Sequence, residues 1–234
     1  MVAVWKKELR QYVVSVIGAV FLASYGGLIG YYFVMGNLMA MNGNIAVLFG
    51  SVYSTLMVLI PILTMRLFAE ERKMRTDQLL FTSPISIYKI ILGKFFAAYQ
   101  IFVIGSIPVL IAAFILAYYG SFQPLELTGC LVGLCLAGGA FLSIGLFASA
   151  ITESQVVAAI VSYLLMIFFW LIDYMKYYVH NFWLAKFLEY LSFQSHFREL
   201  SSGIFKFSTV SYFASMTVLM IGLTYMTLES RRWK

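Results

Sequence analysis

Six stretches of the chain run long enough without a charged residue to cross a bilayer, which takes roughly 20 apolar residues per helix. They cover residues 13–35, 45–65, 95–119, 127–150, 154–172 and 208–228, and none contains Asp, Glu, Lys or Arg. The pattern predicts an all-α integral membrane fold, a single domain over residues 1–234 with six transmembrane helices. Between the runs, 35–44 reads as a short uncharged loop. Gly120-Ser121-Phe122-Gln123 reads as a tight turn, with Pro124 suited to open the fourth span. Thr152-Glu153-Ser154-Gln155 has capping-box spacing for the fifth span and makes spans four and five a hairpin. Ahead of the first run, residues 1–12 place Trp5 and Tyr12 beside Lys6, Lys7 and Arg10, as in a short interfacial helix on the inner leaflet. The first run exceeds a signal-peptide core and is expected to be retained as a span.

Composition agrees with the pattern. Hydrophobic residues make up 62% and charged residues 11% of the chain, and the mean hydropathy is +0.89. Soluble domains carry about 25% charged residues, so little is left here to bury a separate water-soluble catalytic core. The net charge of +6 would suit nucleic acid, but the cations cluster at span ends, where orientation explains them. An even number of spans puts both termini on one side. That side, with 66–94, holds twelve Lys and Arg, whereas 173–207 holds four: Lys176, Lys186, Arg198 and Lys206. Positive charge favours the cytoplasm, so both termini and residues 66–94 are expected there and 173–207 outside.

Catalytic chemistry is scarce. Ion-coupled transporters keep costly charges within their spans, and none lies in these six runs. Glu126 and Glu153 suit helix amino ends, and Asp173 falls at the outer interface. His180 and His196 have no carboxylate at metal-ligand spacing, so no metal centre is expected. No Gly-x-Ser-x-Gly pattern occurs, and Gly93-Lys94 lacks the upstream glycine of a P-loop. Cys130 and Cys135, five residues apart on one helix, point in different directions and predict no bridge. Small residues recur at packing intervals, Gly26 and Gly30 in the first span and Gly129, Gly133 and Ala137 in the fourth. They suit packing within the subunit or a subunit interface. Tyr25, Tyr31, Ser162 and Tyr163, with those first-span glycines, could line a path or a dimer interface; tyrosines near span ends also serve as anchors.

The loop LFAEERKMRTDQLLFTSPISIYKIILGKFFA is the most informative stretch. Arg66 with Glu70, and Glu71 with Arg75, sit at i,i+4 spacing, and Ser83-Pro84 ends the pattern. A charged helix over about 67–82 is expected, either a docking handle or a solvated connector. The loop resembles the coupling-helix region of ABC-2 type transporter permeases, with matches at Glu70, Glu71, Thr76, Leu79, Leu80, Pro84, Gly93 and Lys94. It departs at Arg75, where that family usually has Gly, and at Asp77, where it often has Glu. WKKELRQYVVSVIG, ASAITESQVVAAIVSYLL and LEYLSFQSHFRELSSGIFKFSTVSYF leading to LESRRWK are similar to the gliding-motility-associated branch of the same family.

The resemblance implies a non-enzymatic permease subunit in the bacterial cytoplasmic membrane. It would pair with a second copy or a paralogue and with two separate ABC ATPase subunits, which would hold ATP and Mg. Coupling would then fall to Glu70, Glu71, Arg72, Arg75, Thr76, Asp77, Leu79, Leu80 and Pro84. Export of an amphipathic or lipid-like substrate is expected; the alternative is a machine that transmits force for motility or surface assembly. Membrane lipids and an auxiliary extracytoplasmic protein complete the expected partners, with no nucleic acid. The outer segment 173–207 resembles the family's re-entrant helical hairpin, and its Ser192 and His196 match a family pattern. Phe182, Trp183, Phe187, Leu188 and Leu191 give it apolar surface to dip into the outer leaflet or to pack on the spans.

Overall fold

The computed structural model describes residues 1–76, 85–119, 124–175, 178–179 and 181–232, and among them there is no strand. Six helical segments are long and apolar enough to cross a membrane: Val16–Leu38, Ile45–Lys73, Ile87–Tyr119, Pro124–Ile151, Gln155–Met175 and Phe207–Arg231. The six-span, all-α layout expected from the hydrophobic runs is therefore present. The third span begins at Ile87 rather than at 95, which draws Lys94 inside a helix.

Helix α1 (Val2–Val14) precedes the first span. Ser15 is extended, and its Oγ caps α2 (Val16–Tyr32) by accepting from the Gly18 N–H at 3.2 Å. A side chain on Gly18 would overlap the Tyr12 carbonyl, so only glycine lets the two helices meet this closely. α2 runs on into a π-helical turn, Phe33–Leu38, and the Asn37 amide closes the following loop by donating to the carbonyls of Asn42 and Asn44. Asn44 then caps α3 (Ile45–Thr64). One turn later comes α4 (Ala69–Lys73). The third span is two helices, α5 (Ile87–Gly105) and α6 (Ile107–Tyr119), parted at Ser106. Pro108, which has no N–H to donate, follows that break.

The centre of the bundle is α7 (Pro124–Ile151), about 42 Å long at the usual rise. It packs on α3, α5, α8 (Gln155–Met175), α10 (Phe193–Ser201) and α11 (Phe207–Arg232). Glycines make this crowding workable. A Cβ on Gly129 would overlap the Leu200 carbonyl, one on Gly138 the Phe102 ring, and one on Gly145 the Thr64 hydroxyl. Gly129 and Gly133 thus serve packing within the chain, against Leu200 and Phe197 of α10. Thr152 donates its hydroxyl back to the Ala148 carbonyl at 3.1 Å, so it closes α7 instead of capping α8 as the capping-box spacing suggested.

The bundle has two ends. One, called here the terminal face, gathers α1, α4, the start of α5, the α7–α8 turn and the end of α11. The other carries α9 (Phe182–Leu191) and α10. α9 turns Trp183, Phe187 and Tyr190 outward, and α10 buries Phe193, Phe197 and Leu200. Within this segment α10 packs on the spans, while α9, which carries Trp183 and Phe187, leaves aromatic surface exposed.

Candidate functional site: a charged knot around α4

On the terminal face, α1 is held against α5 by one stripe. Val4, Glu8 and Tyr12 recur every four residues and are all buried. Val4 rests where a Cβ on Gly93 would lie 3.1 Å away, so Gly93 admits α1 and brings Glu8 to the neighbouring Lys94. Lys94 is 1% exposed. Its Nζ donates to the Leu67 carbonyl at 2.6 Å and lies 3.0 Å from both Glu8 Oε1 and Glu71 Oε1. A buried ammonium needs such pairing, because desolvation alone costs several kcal/mol. Lys7 adds a second, exposed cation 3.5 Å from Glu71. Tyr12 donates to the Leu63 carbonyl at 2.8 Å. Burial, reinforced by Glu8, pushes its phenol well above the usual range and keeps the hydroxyl a donor.

α4 has no side-chain cap of its own, and α7 provides one. Ser149 Oγ accepts from the N–H groups of Phe68 and Ala69 at 3.0 and 3.1 Å and donates to the Met65 carbonyl. Arg72 reaches the other side of the same helix pair. Its Nη1 donates to the carbonyls of Ile151 and Thr152 at 3.0 and 2.9 Å, where the end of α7 carries partial negative charge. Its Nη2 pairs with Glu153 at 2.7 Å. Arg231 of α11 donates to the same Ile151 carbonyl at 2.8 Å. A five-residue helix is thus tied to α1, to the third span and to the hairpin of spans four and five.

The expected coupling residues divide accordingly. Arg66 and Glu70 form the i,i+4 pair at 3.2 Å, and Arg66 lies 5.4 Å from the Tyr12 ring centre. Glu71 does not pair with Arg75, because α4 stops at Lys73 and Glu71 turns inward to Lys94. Arg75 instead takes φ +56° at the end of α4. The Thr76 N–H bonds the Glu71 carbonyl and the Arg75 N–H bonds the Arg72 carbonyl, which is the Schellman arrangement with Arg75 at its left-handed position. Asp77, Leu79, Leu80 and Pro84 lie outside the described residues. Lys7, Arg66, Glu70, Glu71, Met74 and Thr76 border a polar recess of about 400 Å³, and Glu71 Oε2 is buried with no hydrogen-bond partner among the described residues.

Glu8 and Ser149 are knot residues that sequence reasoning did not single out, and Lys94 was noted there only as half of the matched Gly93-Lys94 pair, with no role in coupling. A signal was present for two of them. Ile87, Ile90, Ile91 and Lys94 follow helical spacing, as do Val4, Glu8 and Tyr12, which put a charge on each buried face. Ser149, inside a run of small residues, gave none.

At the other end, Asp173 is buried and accepts from Ser192 at 2.7 Å and from Ser195 at 3.2 Å. Ser192 also caps α10 by accepting from the Ser195 N–H. His196 Nε2 donates to the Tyr190 carbonyl at 3.2 Å, and its ring lies 4.3 Å from that of Tyr212. These contacts pin the α9–α10 corner to the spans and form no metal cluster among the described residues. Burial would raise the Glu199 carboxyl, but hydrogen bonds from Lys206 at 2.6 Å and Thr209 at 2.9 Å outweigh it and hold it below its usual range.

The expected path or interface residues separate into two groups. Tyr25 and Ser162 are fully buried, and Tyr25 meets the Ser106 hydroxyl at 3.3 Å and stacks near Phe102. Gly26 faces Pro108. Gly30 has open space before it, and Tyr31 and Tyr163 are exposed.

A family described as ABC-2 family transporter protein matches the chain over residues 3–229. The chain belongs to the ABC-2 transporter family. No curated protein matches it. An ABC-2 permease is a multi-pass membrane subunit of an ABC transporter, and ATPase chains are its general partners. In this ABC-2 chain the knot ties α4 to α1, to the third span and to the hairpin of spans four and five.

Proposed function

We propose that the chain is the permease subunit of an ATP-driven exporter and that α4, with the residues following it, is the handle by which a separate ATPase moves the spans. The observation that carries this reading is the double anchoring of α4: Glu71 to Lys94 on one side, Arg72 to the span four to five turn on the other. A helix of five residues has little stability alone, so motion imposed on it is transmitted rather than absorbed. The recess with the unpaired Glu71 oxygen fits a basic side chain of the motor. Two ATPase copies, which bind ATP and Mg, would serve two permeases, identical or paralogous, in a bacterial cytoplasmic membrane with both termini inside. Gly30, Tyr31 and Tyr163 on the outer faces of α2 and α8 suit the meeting of the two permeases, and the amphipathic or lipid-like cargo would pass beside them. Membership of the gliding-motility-associated branch rests on the sequence likeness.

The test is copurification of the tagged chain with its separately encoded ATPase, then ATP hydrolysis in nanodiscs. Glu70→Ala touches only the Arg66 pair and should weaken ATPase capture while the permease stays folded by thermal melting. An untouched wild type that captures no ATPase would sink the coupling idea. ATP turnover in sealed vesicles without movement of any lipid analogue would replace export with force transmission.

A further inference from the structure

We propose that the cleft between α1 and α5 on the terminal face binds one anionic phospholipid, with an acyl chain along α5 and the headgroup at Lys6 and Arg10. The cleft has a volume of about 460 Å³ and is lined by Val2 and Trp5 of α1 and by Phe96, Tyr99, Gln100 and Val103 of α5. Tyr99 turns its hydroxyl away, toward the Cys135 carbonyl, so its ring faces contribute apolar wall. The α5 residues stand one turn apart, and beyond them Ile107, Ile111 and Phe114 continue the same exposed stripe along the third span. An apolar stripe of that length, exposed on a membrane-spanning helix, is a lipid-facing surface. Phe96 to Val103 spans about 10 Å of it, and α1 forms the side wall over that distance.

The charge on α1 says what sort of lipid. At about 100° per residue, the buried stripe Val4, Glu8, Tyr12 is followed around the helix by Val2, Trp5, Leu9 and Val13, and next by Lys6 and Arg10. Val2 and Val13 are exposed, and so are both cations. Lys7, on the other flank, pairs with Glu71; Lys6 and Arg10 have no ion-pair partner among the described residues. Apolar residues sunk into the bilayer boundary with cations beside them are how an interfacial helix meets anionic headgroups. Trp5, at the edge of both stripes, has the ring suited to that depth. Acyl groove and cationic rim are therefore contiguous, and a single phospholipid satisfies both.

The test uses the full-length chain in nanodiscs with phosphatidylglycerol or phosphatidylcholine carrying a photoactivatable group at mid-chain. Adducts should concentrate on 1–5 and 96–103. Each cation near an anionic surface is worth roughly fivefold, so the phosphatidylglycerol probe should label about thirtyfold better. Lys6→Glu with Arg10→Glu should bring the two probes level, and Val103→Trp, which fills the groove from a partly exposed position, should reduce both. Val218→Trp on the exposed face of α11 should change neither. Equal labelling by the two probes on wild type, or adducts as dense on α11 as in the cleft, would overturn the proposal without any variant being needed. A cross-link joining two copies through Val2 would also overturn it and give the cleft to a subunit interface.

Discussion

At the scale of single residues, the fold is most sensitive at Lys94. Its removal strands Glu8 and Glu71 together in a buried place, and breaking such a group from one side costs about 3–5 kcal/mol, less whatever Lys7 recovers from the exposed side. Lys94→Met should therefore lower the melting temperature sharply. The triple variant Glu8→Gln, Glu71→Gln, Lys94→Met should regain most of the loss, since no charge is left unpaired. If the single and triple variants melt alike, the knot is not electrostatic. Arg75 makes the opposite prediction. At φ +56° a residue with a Cβ pays roughly 1–2 kcal/mol, and glycine gives back about half of that through its greater freedom in the unfolded chain. Arg75→Gly should stabilise by about 0.5–1 kcal/mol in denaturant melts, and Arg75→Ala, which keeps the Cβ, should not. The position is also where the sequence departs from the glycine usual in ABC-2 permeases, a departure whose meaning depends on a backbone angle and so could not be read from the chain. Glu70 and Glu71 were legible as charged neighbours on one helix. That they part, one to Arg66 and one to Lys94, was not, because the second contact spans chain distances that spacing does not encode.

At the scale of elements, the six spans were legible because uninterrupted apolar length is a physical requirement of crossing a bilayer, and every run reappears as helix, the third as two helices parted at Ser106. The other differences lie at the ends. The third span starts eight residues early because a paired lysine can sit inside a helix that a charge-free rule would cut short. What the runs do not say is which helix is central. α7 holds that place because Gly129, Gly133, Gly138 and Gly145 let three neighbouring helices, α3, α5 and α10, approach it, whereas the similar spacing of Gly26 and Gly30 in α2 leaves Gly30 facing open space. The two glycine pairs should therefore respond differently to the same change. Gly129→Ala would force the Leu200 carbonyl aside, an overpacking that costs about 1–3 kcal/mol, seen as a lower melting temperature and faster exchange of α10 amides. Gly30→Ala should leave the subunit as stable or about 1 kcal/mol more so. If α2 meets a second permease, the same substitution should instead loosen the dimer.

At the scale of the whole molecule, the two ends of the bundle have different physics, and that difference makes the proposed orientation of the chain testable. The terminal face carries the dense network of Lys7, Glu8, Arg66, Glu70, Glu71, Arg72, Lys94 and Glu153, while α9 at the other end offers Trp183 and Phe187 to its surroundings. The twelve-to-four division of Lys and Arg is the basis, through the positive-inside rule, for the proposal that the terminal face is cytoplasmic, the side from which a soluble ATPase would have to reach α4. Fold, charge and function thus meet in one measurable quantity, the side on which α4 is exposed. Met74, at the end of α4, is 69% exposed, and Trp183 on α9 is 78% exposed. In a background carrying Cys130→Ala and Cys135→Ser, Met74→Cys should react with a membrane-impermeant maleimide only after cells are opened. Trp183→Cys should react in intact cells. The reverse pattern would place the knot beyond the reach of any cytoplasmic motor, and the anchoring of α4 would then be a structural brace with no force to carry.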